Sequence, residues 1–383
     1  MFPPLQPAYR GKQLYDALTS GAATLDAATS LPKAWRESLA ERGAVTGRAA
    51  IHAIAASTDG TAKLLLRLHD GHVIEAVGIP ELPRREDKEK AAAAAAAARR
   101  RGGGASTSAP PPAPPPRRLT ICVSSQVGCP MRCAFCATGK GGYARNLASH
   151  EIVDQVLAVA AHFADGDGGR ADPRIGERLN VVFMGMGEPL LNLRAVLPAV
   201  RALNGRLGIG ARRITVSTVG VPQAIPRLAA GLDSLQATLA VSIHAPTQAL
   251  REAIVPSAKA YPLAALLADC AAFHAATGRR VTFEYALLAG VNDAPEHAAG
   301  LARLLRKGLG PGASHVNVIP WNFVEGTPFG APTRAGAAAF AAAVEAAGVP
   351  ASVRASRGQD AAAACGQLRN DNQKTPLAAG AAA

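Results

Sequence analysis

The chain has 383 residues, enough for one large domain and a smaller one. About half of the residues (49%) are apolar, but no uncharged apolar run reaches the roughly 18 residues of a membrane span, and the N-terminus lacks the pattern of a secretory signal or transit peptide. The net charge of +13 favours an anionic partner such as a nucleic acid. Without secretion, clustered cysteines indicate metal binding or redox chemistry rather than structural disulfides.

The N-terminal part of the chain is predicted to be a small helical module. Residues 9–55 show the apolar spacing of short amphipathic helices, with Leu14 and Leu18 one helical turn apart. We therefore expect a helical module over residues 1–58.

A β-hairpin is predicted to follow this module. The apolar runs 62–69 and 72–79 flank the dipeptide Asp70-Gly71, which is a strong signal for a tight turn between antiparallel strands. The hairpin is expected to occupy residues 59–83.

Residues 84–118 differ in composition from their surroundings. They contain a run of eight alanines, RRRGGG and PPPAPPPRR, and they carry seven Arg and two Lys against three acidic residues, a net charge of +6. Such a segment cannot bury a core, so it is predicted to be a disordered low-complexity insert. Because the cost of closing a loop grows slowly with its length, the fold should tolerate this insert if its two ends lie close together.

From Leu119 onwards, β-like apolar runs alternate with helical patterns. The strand-like runs are LTICVSS, LNVVFMGMG, RRITVST, LQATLAVSIH, RRVTFEYALL and SHVNVIP, and the helix-like segments are 149–163, 193–203, 247–256, 263–276 and 296–307. Near-continuous apolar strands that alternate with helices indicate a parallel sheet. The predicted fold class is therefore α/β, with a partial (β/α)6 barrel over residues 119–356.

Unusual residues lie where these predicted strands end. In a β/α barrel the chemistry is carried by the loops that follow the strands, so these residues are expected to meet at one end of the barrel. They are Cys122 to Cys136 after the first strand, Gly187 and Glu188 after the second, Ser217 at the third, Ser242 and His244 at the fourth, and Asn322 after the sixth.

Four of the six cysteines lie in the short stretch CVSSQVGCPMRCAFC. Cys129, Cys133 and Cys136 have the spacing C-x3-C-x2-C, which lets three thiolates converge on one inorganic centre. Three ligands suit a four-iron cluster with one open iron, whereas electron-transfer clusters and structural zinc sites use four. Zinc stays an alternative because Cys122, Cys365 or a histidine could supply a fourth ligand, and Cys133 with Cys136 could also form a redox pair.

Several ordered motifs resemble one enzyme family. The cysteine stretch, with an aromatic residue before its last cysteine, resembles the signature of radical S-adenosylmethionine enzymes. Together with GMGEPLLN, STVGV, SIHAP, LAGVND, IPWN and AACGQL, it makes residues 119–370 resemble the RlmN branch of the RlmN/Cfr RNA methyltransferases, the cyanobacterial and plastid members in particular. The resemblance implies one [4Fe-4S] cluster and two molecules of S-adenosylmethionine per turnover, one as methyl donor and one as radical source.

The resemblance also implies a reaction and roles for individual residues. The reaction is methylation of adenosine carbon-2 in the peptidyl-transferase region of large-subunit rRNA and beside the anticodon in tRNA. Cys365, in the C-terminal stretch 357–383 with its frayed tail, would carry the methyl group, Cys122 would release the product through a transient disulfide with Cys365, and Glu75 would accept a proton. The metal ligands implied are Cys129, Cys133 and Cys136, and the implied cofactor contacts are Gly187, Glu188, Ser217, Ser242, Ile243, His244 and Asn322.

Further expectations concern binding partners and alternative functions. The resemblance implies that the N-terminal helices dock RNA and that a flavodoxin or ferredoxin donates electrons. The chain is expected to be a monomer with no membrane contact, in a bacterial cytoplasm or a plastid stroma. Two alternatives stay open: a Cfr-like carbon-8 methyltransferase, and a zinc-stabilised RNA-binding protein without catalysis. The remaining cysteine, Cys270, lies on an apolar helical face and is predicted to be buried in the core.

Overall fold

The computed structural model describes residues 8–19, 22, 24–81, 118–164 and 178–369. These residues form twelve strands: β1 Ala50–Ala56, β2 Ala62–Arg67, β3 Val73–Pro80, β4 Leu119–Cys122, β5 Gln126–Gly128, β6 Tyr143–Asn146, β7 Leu179–Phe183, β8 Ile214–Thr218, β9 Thr238–Ser242, β10 Val281–Leu287, β11 Ser314–Pro320 and β12 Ala351–Val353. They also form ten α-helices: α1 Ala8–Thr19, α2 Lys33–Glu41, α3 Ala137–Lys140, α4 Ser149–Ala164, α5 Leu193–Gly205, α6 Ala224–Leu232, α7 Gln248–Ile254, α8 Leu263–Thr277, α9 Pro295–Leu309 and α10 Arg334–Ala346. Within the described ranges, no helix is both long and apolar enough to cross a bilayer.

One large sheet organises the molecule. Ten strands are hydrogen-bonded in the order β1-β2-β3-β4-β7-β8-β9-β10-β11-β12. From β4 onwards all neighbours in this sheet run parallel, whereas β1 to β4 are antiparallel. The α/β class and the partial barrel are confirmed, because each predicted parallel strand forms, and β12 adds a seventh.

The strands of the barrel alternate between a helix-covered face and an interior face. In β7, Leu179, Val181 and Phe183 are buried, while Asn180 and Val182 between them are half-exposed. The buried positions pack with apolar side chains of the covering helices in one continuous core. Cys270 of α8 is fully buried in this core, as predicted. The five predicted barrel helices are present as α4, α5, α7, α8 and α9, and the sequence missed α6 and α10.

The N-terminal region confirms one prediction and corrects another. Strands β2 and β3 pair antiparallel, with Arg67 opposite Val73, and Gly71 at the turn has φ +85°. Residues 50–55 were expected to be helical, but this was wrong, because Ala50–Ala56 is the edge strand β1 paired with β2. Most side chains of β1 are exposed, so backbone pairing with an available edge, rather than side-chain burial, selects the strand.

The described residues that flank the predicted insert lie next to each other. The backbone N–H of Glu81 donates to the carbonyl of Arg118 at 2.8 Å, one step beyond the pairing of Pro80 with Leu119. The fold was expected to tolerate an insert if its two ends lie close together, and the described flanking residues meet this condition. Apart from Arg118, the insert predicted over 84–118 lies outside the described residues, as does the predicted frayed tail beyond residue 369.

A C-terminal segment, residues 355–369, runs from β12 at one edge of the sheet back to the antiparallel strands at the other end of the strand order. Residues of the β1–β2 turn and of strands β2 and β3 hold it. The Asp59 carboxylate in the turn accepts from Arg357 Nε at 2.7 Å. Lys63 Nζ of β2 donates to the Ala362 carbonyl at 3.0 Å, and the Glu75 carboxylate of β3 accepts from the Arg369 N–H at 2.9 Å. The segment thereby spans from one edge of the sheet toward the other and carries Cys365 to the interior of the barrel.

Candidate active site

A cavity of about 160 Å³ lies at the carboxyl ends of the parallel strands. Most of the predicted site residues line it: Cys129, Cys133, Cys136, Gly187, Glu188, Ser217, Ser242, His244, Asn322 and Cys365. The strand-end rule therefore brings together residues that are far apart in the sequence. Cys122, Ile243 and Glu75 are not among the lining residues of this cavity.

The three cysteines of the C-x3-C-x2-C motif lie on one loop, Cys129–Cys136, between the short strands β5 and β6. Backbone hydrogen bonds shape this loop, from Cys129 N–H to the Gly142 carbonyl at 2.8 Å and from Cys136 N–H to the Cys133 carbonyl at 3.1 Å. The barrel holds it as well, since Trp321 Nε1 donates to the Phe135 carbonyl at 3.0 Å. The loop thus has one defined backbone conformation against the cavity.

The thiols of this loop sit in a desolvated setting that suits a cationic inorganic centre. Burial raises the pKa of Cys129 to about 12, and burial followed by the charges of Cys136 and Cys129 raises that of Cys133 well above its ordinary value. Buried thiolates need positive charge nearby. The C-x3-C-x2-C spacing of three cysteines that line one open cavity would suit a four-iron cluster with one free iron. As they are placed, these thiols do not form a group that could hold a metal ion, and neither does any other set of three His, Cys, Asp or Glu side chains in the described part of the chain, so the cluster ligands stay a prediction.

Gly187 and Glu188 line the same cavity as the cysteines. Gly187 has φ +100°, and a Cβ there would lie 2.6 Å from Gln126 Cβ, so only glycine fits. The Glu188 carboxylate accepts from the N–H groups of Leu190 at 2.9 Å and Val219 at 2.8 Å. Burial nevertheless raises the pKa of Glu188 to about 7. A buried carboxylate of this kind, on a cavity wall, is suited to an ammonium group of a ligand.

His244 is held in the left-handed region at φ +58° and is buried. Its Nδ1 accepts from the Ala286 N–H at 2.9 Å, and its ring packs edge-on against Phe135 with the centroids 4.8 Å apart. Burial, followed by the charge of Arg251, lowers the pKa of His244 to about 3. The ring is therefore neutral, with its proton on Nε2.

Sequence reasoning missed two buried polar residues that build the ends of these strands. Arg251 of α7 donates to the carbonyls of Ile243 at 3.1 Å, Ser242 at 3.3 Å, and Val219. Asn292 donates to the His244 carbonyl at 2.8 Å. Asn292 lies in the LAGVND motif, which was a usable signal, whereas nothing local in the sequence distinguishes Arg251 from a solvated helical arginine.

Ile243 occupies a structural position in this arrangement. Its side chain is fully buried, and its N–H donates to the Glu284 carbonyl at 3.1 Å. The predicted contact of Ile243 with a cofactor stays a prediction.

A second cavity, of about 210 Å³, adjoins the first and contains the two remaining predicted cysteines. Cys122 and Cys365 both line it, and Cys365 lines the first cavity too. Burial, followed by the charge of Cys365, raises the pKa of Cys122 to about 12. Both cysteines are free thiols. Cys365 is positioned through its own carbonyl, which accepts from Asn322 Nδ2 at 3.0 Å.

Glu75 lines neither cavity. It is 3% exposed, and its carboxylate lies 3.1 Å from Lys63 Nζ and accepts from the Arg369 N–H at 2.9 Å. The pairing of Val77 with Cys122 places Glu75 on the same face of the sheet as Cys122, two residues along β3. Its proposed proton-accepting role therefore stays a prediction, with a position near the second cavity.

Three kinds of comparison relate the chain to known proteins. Residues 123–302 match the model of the radical SAM superfamily. A protein of Thermosynechococcus vestitus named "Probable dual-specificity RNA methyltransferase RlmN" is 50% identical over 95% of this chain and 93% of its own length. One of the same name from Parasynechococcus marenigrum is 51% identical over 96% and 94%. The crystal structure of a radical SAM methyltransferase from Sphaerobacter thermophilus is 40% identical, covers 95% of this chain and 94% of that one, and has a TM-score of 0.78.

Proposed function

Since this chain belongs to the RlmN family of radical S-adenosylmethionine RNA methyltransferases, we propose that it methylates carbon-2 of adenosine in large-subunit rRNA and in tRNA. The observation that carries this proposal is the position of Cys365. It lines both the cavity of the Cys129–Cys136 loop and the cavity of Cys122. A thiol in that position could accept a methyl group from a ligand in the first cavity. It could then be released from the product by Cys122, which lines the second cavity.

The first cavity would bind S-adenosylmethionine. Cys129, Cys133 and Cys136 would hold a [4Fe-4S] cluster, which when bound supplies the electron that cleaves S-adenosylmethionine. Glu188 would receive the ammonium group, since its carboxylate is buried and has no positive side chain among its described hydrogen-bond donors. Neutral His244, with its proton on Nε2, would act as a hydrogen-bond donor, and Ser217 and Ser242 supply hydroxyl groups on the same wall.

Cys365 would accept the methyl group by displacement. The electron pair of its thiolate forms the new S–C bond, the methyl–sulfonium bond breaks, and S-adenosylhomocysteine leaves with the electron pair of the broken bond. Cys365 would then deliver the carbon atom to carbon-2 of the adenine. Cys122 would release the product by forming a disulfide with Cys365, and Glu75 would accept the proton lost from carbon-2.

The RNA would approach through the basic surface of the chain. The charge outside the predicted insert is +7, because the whole chain carries +13 and residues 84–118 carry +6. Helices α1 and α2 are the proposed docking elements. An unstacked adenosine would have to enter the barrel, as in other enzymes that act on a base. A flavodoxin or ferredoxin as electron donor, a monomeric state, and a location in a bacterial cytoplasm or plastid stroma complete the proposal.

Mass spectrometry of nucleosides tests the reaction. The purified protein, with iron and sulfide supplied anaerobically and with S-adenosylmethionine and a reductant added, should convert adenosine to 2-methyladenosine in both rRNA and tRNA. Cys365→Ala should lose this activity and keep its iron. Formation of 8-methyladenosine instead would identify a Cfr-like enzyme, and a protein that binds one zinc and no iron would exclude the radical mechanism.

A further inference from the structure

Arg354 lies directly after β12, at the cavity that contains Cys122 and Cys365. Its backbone N–H donates to the Val318 carbonyl at 2.8 Å, which extends the pairing of β11 with β12 by one residue and fixes the side chain on the interior face. Neither the sequence motifs nor the proposed reaction assigns a role to this residue. Its position beside both thiols raises the question of what its positive charge does.

The guanidinium of Arg354 has an unusual partner. Its Nη1 lies 3.3 Å from Sδ of Met184, and a thioether is a weak acceptor that carries no charge. Among the described residues, no carboxylate forms an ion pair with Arg354. Arg357 lines the same cavity, but its guanidinium is paired with Asp59 at 2.7 Å. Among the described residues that line this cavity, Arg354 is therefore the cation that has no ion-pair partner.

Three titratable groups face Arg354 from different parts of the fold. They are Cys122 at the end of β4, Cys365 in the C-terminal segment, and Glu284 of β10, whose carboxylate accepts from Asn317 at 3.0 Å. The charge of Cys365 is the first cause that raises the pKa of Arg354, against burial, with smaller contributions from Glu284 and Cys122. The Lys63–Glu75 pair lies farther along the same face of the sheet. One cation and both thiols therefore line the same cavity.

We propose that Arg354 is a positioning residue that lends its charge to two thiolates in turn, to Cys365 before methyl transfer and to Cys122 afterwards. This inference rests on the proposed roles of the two cysteines.

The order of the two steps follows from conservation of charge. The Cys365 thiolate is consumed when its electron pair forms the S–C bond, and the methyl thioether that results is neutral. Arg354 then loses its anionic partner, and its charge favours ionisation of the nearest remaining thiol. Methylation also removes the charge of Cys365, which is the second cause that raises the pKa of Cys122. Cys122 therefore becomes the better nucleophile only once Cys365 carries a carbon atom.

Thiol alkylation tests the first half of the proposal without any turnover. Full-length protein with its iron–sulfur cluster and no S-adenosylmethionine is reduced, the fraction of free Cys365 thiol is measured, and the rate of reaction with iodoacetamide at Cys365 is followed by peptide mass spectrometry across pH. Arg354→Gln should slow alkylation of Cys365 at neutral pH by about tenfold, because the guanidinium no longer stabilises a thiolate in this cavity. Arg354→Lys should restore most of the rate. Arg201→Gln, which removes an exposed arginine that donates to the Gly231 carbonyl, should match the wild type.

The second half is tested on Cys122 in a background where residue 365 is neutral. In Cys365→Ser, alkylation of Cys122 at neutral pH should be about tenfold faster than in the double variant Cys365→Ser with Arg354→Gln. Iron content and the thermal midpoint establish that each variant is folded, and Arg354→Met takes the place of the glutamine variant if the latter does not fold. An Arg354→Gln profile that matches the wild type, or an Arg354→Lys profile that matches Arg354→Gln, would overturn the proposal. Failure of the wild type to methylate RNA would instead defeat the proposed function and leave the thiol result intact.

Discussion

The loop Cys129–Cys136 and the C-terminal segment both present cysteines to one cavity, but they are held there in different ways. The loop follows β4 and β5 and is fixed by short-range backbone hydrogen bonds and by burial against Trp321. The C-terminal segment has no regular structure, and polar contacts with β2, β3 and the β1–β2 turn hold it, among them the Asp59–Arg357 pair. The loop is thus held by its own backbone and by the barrel, whereas the position of Cys365 also depends on contacts between the two ends of the chain.

The largest expected effect separates these two regions by function. Cys133→Ala removes one of the three thiols of the loop, so we expect iron binding and RNA methylation both to fall to background. Cys365→Ala should abolish methylation alone, because the segment contributes no thiol to the C-x3-C-x2-C motif. Iron and sulfide analysis beside nucleoside mass spectrometry measures both. Loss of iron in Cys365→Ala would show that the two regions are not separate.

Rigidity on the barrel side is tested by Gly187→Ala. The φ of +100° and the 2.6 Å approach to Gln126 Cβ leave no room for a methyl group, so we expect the free energy of unfolding to fall by about 3 kcal/mol. Gly205→Ala is the matched control, because a Cβ there meets nothing within 4 Å, and the change should be neutral or slightly stabilising. Urea denaturation curves give both values. Equal urea midpoints for the two variants would mean that the backbone around Gly187 shifts to accommodate the added methyl group.

Binding of S-adenosylmethionine should depend on pH through Glu188. The pKa of this group in the folded protein is about 7, above its ordinary value, because burial disfavours the carboxylate. The carboxylate is therefore protonated as pH falls below about 7, and the ligand ammonium loses its partner. We expect the dissociation constant, measured by equilibrium dialysis, to rise about tenfold per pH unit at most below that point. Glu188→Gln should bind more weakly and without this dependence, and a dependence that survives the substitution would assign it to another group.

A smaller effect is expected where the C-terminal segment is held. Hydrogen bonds from Thr61 and Arg357 hold the pKa of Asp59 well below its ordinary value in spite of burial. Asp59→Asn weakens this contact, which should cost about 1–2 kcal/mol and increase amide hydrogen exchange over 357–369 without loss of iron. Asp16→Asn is the control, because its pair with Lys12 is exposed. Unchanged exchange in 357–369 would show that the Asp59–Arg357 pair does not anchor the segment.

Much of the fold and of the site was predictable from short stretches. The cysteine spacing, the glycine beside Glu188 and the polar residues at the strand ends are local patterns, and a parallel barrel brings strand ends together whatever lies between them. The hairpin around Asp70-Gly71 was predictable for the same reason. Strand β1 was not, because its conformation is selected by the free edge of β2 rather than by its own residues.

The sequence by itself determined most of the elements of the barrel, and it predicted the cluster motif and the two reacting cysteines. Only the tertiary structure decided that Lys63 contacts the segment of Cys365, that Arg251 donates to three strand-end carbonyls, and that Arg354 lines the same cavity as two thiols. The physical reason is the range of the interactions. A strand or a C-x-x-C turn depends on neighbours a few residues away, whereas a buried charge is defined by partners that lie up to about three hundred residues distant in the chain.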